Sequence, residues 1–171
     1  MMSVPSKWVK HITRRAGFAL TFLFFITATG SAQSIAPFDR LSGQWSGSGT
    51  IELSSGVREP IKCRAVYDVL GDQRNLQLNI RCASASYNFD LRASANYAAG
   101  AISGSWSEST RNAAGTISGR AEGDRFQVVA RASSFAASLT LITHGGHQSV
   151  SIRSQDAQSA IRGVSVSLRR S

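Results

Sequence analysis

Two cysteines, a pair of close histidines and an arginine-heavy set of cations are the residues here whose types could do chemistry. Cys63 and Cys82 lie 19 positions apart, too far for a C-x-x-C redox pair. An even count suits one disulfide in an oxidising compartment, the alternative being two buried reduced thiols. His144-Gly-Gly-His147 sets two imidazoles on a turn. Zinc or copper would need a third ligand, for which Asp156 is the nearest carboxylate in sequence. A solvated hairpin turn is the plainer reading, and no metal is expected. Serine is abundant, yet none stands in a G-x-S-x-G elbow or on a strand-to-helix turn. Glu52, Asp68, Asp90 and Glu108 fall mostly on rows that read as outward, with no spacing that favours paired-carboxylate catalysis. Gly47-Ser-Gly49 lies within a strand pattern and no lysine follows, so it is no phosphate loop. The residues therefore predict neither an enzyme nor a cofactor.

The elements that would carry these residues are short strands. Apolar positions recur at period two between glycine-rich or polar turns. The rows begin Leu41, Gly43, Trp45, Gly47, Gly49, Ile51, Leu53, then Ile61, Cys63, Ala65, Tyr67, Val69, then Leu76, Leu78, Ile80, Cys82. Tyr87, Phe89, Leu91, Ala93 and Ala95 follow, and the alternation continues to Val164, Val166 and Leu168. The expected fold is all-β, an antiparallel up-and-down meander of about 8–10 strands closing into a barrel, which hides its edges. A two-sheet sandwich is the alternative. A hairpin turning at Asp72-Gln73 sets Cys63 directly opposite Cys82, close enough for an S–S bond, and Arg64 opposite Arg81. Glycine is concentrated in strands one, five and six, where it permits sharp coiling or would leave inner volume unfilled. Trp45, Trp106 and Tyr67 are candidates to fill that space. Leu41-Ser-Gly-Gln-Trp-Ser and Ile102-Ser-Gly-Ser-Trp-Ser share an S-G-x-W-S pattern, read either as a diverged duplication or as ordinary serine-rich strands.

The first 32 residues read as a secretory signal peptide. Lys7, Lys10, Arg14 and Arg15 precede the apolar run from Gly17 to Ile26, and Ala28-Thr-Gly-Ser-Ala32 offers a cleavage site after Ala32. The run of about 10–12 residues is shorter than the roughly 20 a spanning helix needs. The twin-arginine route is a lesser option for Arg14-Arg15, and no cysteine near the site could be acylated. The expected division is 1–32 signal, 33–38 a short lead and 39–171 one barrel domain, exported to the periplasm or beyond and not membrane-spanning once processed. Four of the 19 Lys and Arg fall in the leader, leaving 15 against 10 acids, a net of +5. Lys62 is the only lysine among those 15. Such a chain is drawn to anionic envelope surfaces or acidic proteins rather than to nucleic acid, which is a poor target outside the cytoplasm. Arg64, Arg81 and Arg92 read as outward on strands two to four, a candidate face for an anion or a partner protein unless Asp68 or Asp90 compensates them.

Gly43-Gln-Trp45, opening the first strand of a closed meander, resembles the G-x-W of calycins, the lipocalins and their relatives. The resemblance implies a barrel whose tryptophan packs across the base, with a late-strand arginine upon it. Arg162 and Arg169 are the candidates for that arginine. It also implies an interior that holds an apolar ligand, with Trp45, Tyr67, Phe89, Leu91, Trp106, Phe126, Val128 and Leu139 as candidate cavity wall. The resulting expectation is a periplasmic non-enzymatic binder of an apolar or amphipathic ligand, such as an envelope lipid. A protein-binding module or inhibitor of an envelope enzyme, using the arginine face, is the alternative. A cavity above about 300 Å³ would favour the first and a solid core the second. An outer-membrane barrel is disfavoured, because the non-core rows carry Ser, Arg, Asp and Asn where lipid-facing strands need apolar bands.

Overall fold

The structure is a computed structural model that describes residues 37–171. The expected signal peptide and all but the last two residues of the lead lie outside the described residues. A single-turn 3-10 helix, Pro37–Leu41, precedes ten strands: β1 Gly43–Leu53, β2 Arg58–Leu70, β3 Asn75–Ala83, β4 Asn88–Ala98, β5 Ala101–Glu108, β6 Ala113–Glu122, β7 Arg125–Ala132, β8 Phe135–His144, β9 His147–Ser154 and β10 Ile161–Arg170. Every strand pairs antiparallel with its neighbours in sequence, and β1 pairs with β10, so the meander closes into a ten-stranded barrel with no free edge. The sandwich alternative is thereby set aside.

Alternation produces this result. Along β2, Ile61, Cys63, Ala65 and Tyr67 are buried while Lys62, Arg64, Val66 and Asp68 are exposed. The β2–β3 register is the one the turn dictates, pairing Cys63 with Cys82, and the two sulfurs are joined across a Cα separation of 4.1 Å.

The strand glycines do not leave an unfilled interior; they let neighbouring strands fold over. A β-carbon on Gly47 would collide with the carbonyl oxygen of Ser167, and one on Gly115 with that of Arg131. Gly49, Gly104 and Gly119 are hemmed in by the next strand's backbone in the same way. The wall turns most sharply at these places, along β1 and across β4 to β7. Beside the first corner Ile51 and Ile61 are fully buried.

The 3-10 helix shuts one end. Phe38, expected in a lead, is core at 1% exposure. It stacks on Phe126 at 6.1 Å and meets Tyr97 edge-on at 6.3 Å. The core thus begins at Pro37 because this short helix is the barrel's cap, a role that strand periodicity cannot reveal.

Candidate functional site

The candidate wall residues all point inward, but they fall into two groups. Trp45, Tyr67 and Phe126 are buried with Leu41, Leu76, Ile102 and Leu141 at the capped end. They are a plug rather than a cavity wall, because the 3-10 helix occupies the space they would otherwise line. Trp45 Nε1 donates to the Leu41 carbonyl at 2.7 Å, and the Arg170 guanidinium lies 4.6 Å from its ring. Arg170 Nη2 donates to Arg40 O at 2.7 Å and Nη1 to Ser42 O. The arginine that covers the base tryptophan is therefore Arg170, not Arg162 or Arg169. Arg169 pairs with Ser46, an outward position, and Arg170 with Trp45 itself. Gly43, with φ of +110°, makes the bend that aims β1 at this base.

A buried polar chain completes the plug. Tyr67 Oη donates to Gln148 Oε1 at 2.9 Å, and Gln148 Nε2 to Thr143 Oγ1 at 3.2 Å. Burial pushes the Tyr67 hydroxyl far above the usual phenol range, against the opposing effect of its bond to Gln148. It stays a neutral donor and offers no base.

Farther from the cap Ile51, Ile61, Cys63 and Ala137 are still buried, but much of the remaining inward surface is only half-buried. Phe89, Leu91, Val128 and Leu139 lie here, with Ile80, Ile117, Ile152 and Val164 beside them. Apolar side chains that face inward yet touch solvent describe an open half of the barrel. Trp106 belongs to this half, with its indole edge-on to the Phe135 ring at 6.0 Å. Its Nε1 is buried and has no hydrogen-bond partner among the described residues.

Glu108, one of four carboxylates expected mostly on outward rows, points inward two residues beyond Trp106 and is 6% exposed. Its oxygens accept from the backbone N–H groups of Asp90, Thr110 and Arg111 and from Thr110 Oγ1. Burial alone would raise its pKa, but the bonds from Asp90, Thr110 and Arg111 together outweigh it and hold the carboxyl below the usual range. The side chain pins the β5–β6 turn. That turn places the Arg111 guanidinium 4.7 Å from the Phe89 ring and 5.5 Å from Tyr87. Alternation from Ile102 through Gly104 and Trp106 puts this position on the inward face; what it does not reveal is that the last strand residue bonds to its own turn.

On the outer wall Arg64 stands opposite Arg81, as expected, and Arg81 Nε reaches Asp90 Oδ2 at 3.1 Å. Arg64 and Arg92 have no ion pair among the described residues. Arg92 borders a shallow groove of about 450 Å³ with Gln77, Asn79, Ser94, Ser105 and Ser107. His144 and His147 face each other across the β8–β9 turn at the capped end. The carboxylate near them is Asp124, 3.9 Å from His144 Nδ1, whereas Asp156 follows β9 at the other end of the barrel. No group of three His, Cys, Asp or Glu among the described residues is placed to hold a metal.

A closed ten-stranded antiparallel barrel with a 3-10 cap and a base tryptophan agrees with the calycin-like architecture in the broad sense of fold. No protein-family model matches the chain, nor does any curated protein. Among solved structures it is similar to Rv2717c from M. tuberculosis, with a TM-score of 0.62 and 12% identity over 77% of this chain and 93% of that one. It is also similar to the S-type phycobiliprotein lyase CPES from Guillardia theta, with a TM-score of 0.56 and 10% identity over 78% of this chain and 90% of that one. At such identities the likeness is one of fold. Among the described residues no helix is long and apolar enough to cross a membrane.

Proposed function

We propose that this protein is an exported, non-enzymatic binding protein for an apolar or amphipathic small molecule, an envelope lipid being the natural class in the periplasm. One observation carries the reading: the half-buried inward row of Phe89, Leu91, Val128, Leu139 and Ile152 in the half away from the cap. Apolar walls supply affinity there, while the filled end supplies rigidity. Binding rather than catalysis is supported by what is buried. Tyr67 is held neutral in its own chain of bonds, and Glu108 is saturated by a turn. The outer positions of β1, β5 and β10 carry serine, which suits a barrel in water more than one in lipid. That one structural relative is a phycobiliprotein lyase is a statement about that protein; here the shared barrel supports only the idea of a bound small molecule.

Native mass spectrometry of the protein purified without detergent, followed by lipid extraction of the same sample, tests the reading. A stoichiometric adduct is expected, and Leu139→Trp, which fills the open half, should lose it. A bare polypeptide mass from the wild type would overturn it.

A second reading rests on the outer wall. Arg64 and Arg92 lack acidic partners among the described residues, and Arg92 borders a groove, so this face suits an acidic protein partner or an anionic envelope surface. Charge reversal at both residues should abolish capture of such a partner and leave the adduct unchanged.

A further inference from the structure

The open half contains one polar group that the fold itself does not satisfy. Trp106 is 8% exposed, and its Nε1 has no acceptor among the described residues. The other tryptophan of the barrel shows that this is no general feature, because Trp45 Nε1 is bonded to Leu41 O at 2.7 Å. Buried N–H donors are rarely left unpaired, and each one that is costs the free energy of its lost hydration.

The wall beside Trp106 carries little side-chain bulk. Its register partners on β4 and β6 are Ala93 and Gly115, which place no bulky side chain beside the indole. Nε1 lies 3.0 Å from the place a Gly115 β-carbon would occupy, so it sits on the inner side of β6. The Phe135 ring beside the indole starts β8 and is 36% exposed. It is the more exposed of the two rings, and its rotation would change what covers the indole.

The charge nearby points to a neutral acceptor. Glu108 also faces inward on the same strand, and Arg111 already stands against it at 3.7 Å. A carboxylate beside Trp106 would meet a like charge on Glu108, while an uncharged carbonyl would not.

We infer that the molecule bound in the open half carries a neutral carbonyl oxygen, as in a lipid ester or a ketone, which accepts a hydrogen bond from Trp106 Nε1 once Phe135 turns aside. This rests on the ligand-binding reading and adds the chemistry of the guest. Hydrocarbon chains alone would leave the indole N–H unsatisfied.

Two probes of one shape provide the test: methyl heptyl ketone, and the alkene in which a methylene replaces its carbonyl oxygen. Each is titrated into the purified protein and into Trp106→Phe, which keeps an aromatic ring and removes the N–H. The preference for ketone over alkene should fall roughly tenfold in the variant, the worth of one buried hydrogen bond. In heteronuclear NMR of the wild type the Trp106 indole proton should move downfield with ketone, while that of Trp45 stays in place. An unchanged preference, or a static Trp106 signal while neighbouring amides report ketone binding, overturns the inference and leaves ligand binding intact. If neither probe perturbs the inward rows, both fall together. Should Trp106→Phe fail to fold, the wild-type indole resonance decides alone.

Discussion

The two ends of this barrel are built from the same alternating rows but are filled to different degrees. At the capped end each large side chain has a neighbour: Phe38 on Phe126, Arg170 on Trp45, Tyr67 on Gln148. In the open half Phe89, Val128, Leu139 and Ile152 are inward but half-buried. The two tryptophans sharpen the contrast. Both sit in S-G-x-W-S segments, yet one indole is bonded and stacked while the other has an idle donor. Their glycines differ as well. Gly43 supplies a left-handed bend, whereas Gly104 makes room for the carbonyl of Ser94. A shared local pattern has thus been put to two uses, so the repeat says little about duplication. The difference shows where stability is concentrated and where the fold leaves space for something else.

The largest expected effect compares the two regions directly. Trp45→Ala should destabilise by about 3–5 kcal/mol, the usual range for emptying a filled core site. Leu139→Ala removes a side chain that is already partly wet and should cost only about 1–2 kcal/mol. Urea unfolding of both variants measures this. Equal losses would mean that the open half is packed as tightly as the plug, and the contrast would fail.

Much of the fold is legible in the sequence, because one physical rule generates it. Burying one face of a short antiparallel strand forces period two, and the Asp72-Gln73 turn fixes which cysteines and arginines oppose. What escapes is what alternation alone does not specify: where a cap lies, what a polar residue on the inward parity bonds to, and where a strand ends. Phe38 lies in a 3-10 helix, Glu108 bonds forward into its own turn, and Arg170 rather than Arg169 faces the base because parity at the strand end decides it. The division of the candidate wall into plug and open half is illegible for a related reason. Trp45, Phe126 and Leu139 look alike as inward apolar residues, and only the position of the cap separates them.

The Cys63–Cys82 bridge gives the next smaller effect and tests whether the regions open independently. It ties the buried inward row of β2 to the partly buried inward row of β3 at the pair adjoining Phe89. Replacing both cysteines by alanine should cost roughly 3 kcal/mol if loop-closure entropy governs. Amide exchange should accelerate first along β3 and β4, where inward side chains are partly wet, and last along β1, β2 and β10 around the plug. Uniform acceleration would show the barrel opening as one unit.

Glu108 gives the smallest effect and the most specific one. Its carboxyl is held below the usual range in the folded protein, so its contribution is fully present above the unfolded-state value of about 4.3 and is lost as pH falls through the folded one. Glu108→Gln leaves the shape but turns an amide toward backbone N–H donors that need acceptors. The cost at neutral pH should be about 1–2 kcal/mol, seen as a lower Tm. The gap between variant and wild type should narrow only as the pH falls through the depressed folded value, where the wild-type carboxyl takes up its proton too. A gap that stays constant with pH would mean the carboxylate is not the anchor of the β5–β6 turn. In that case Arg111 would owe its place over Phe89 to the aromatic stack alone, and the open half would be held by its apolar wall without help from a buried charge.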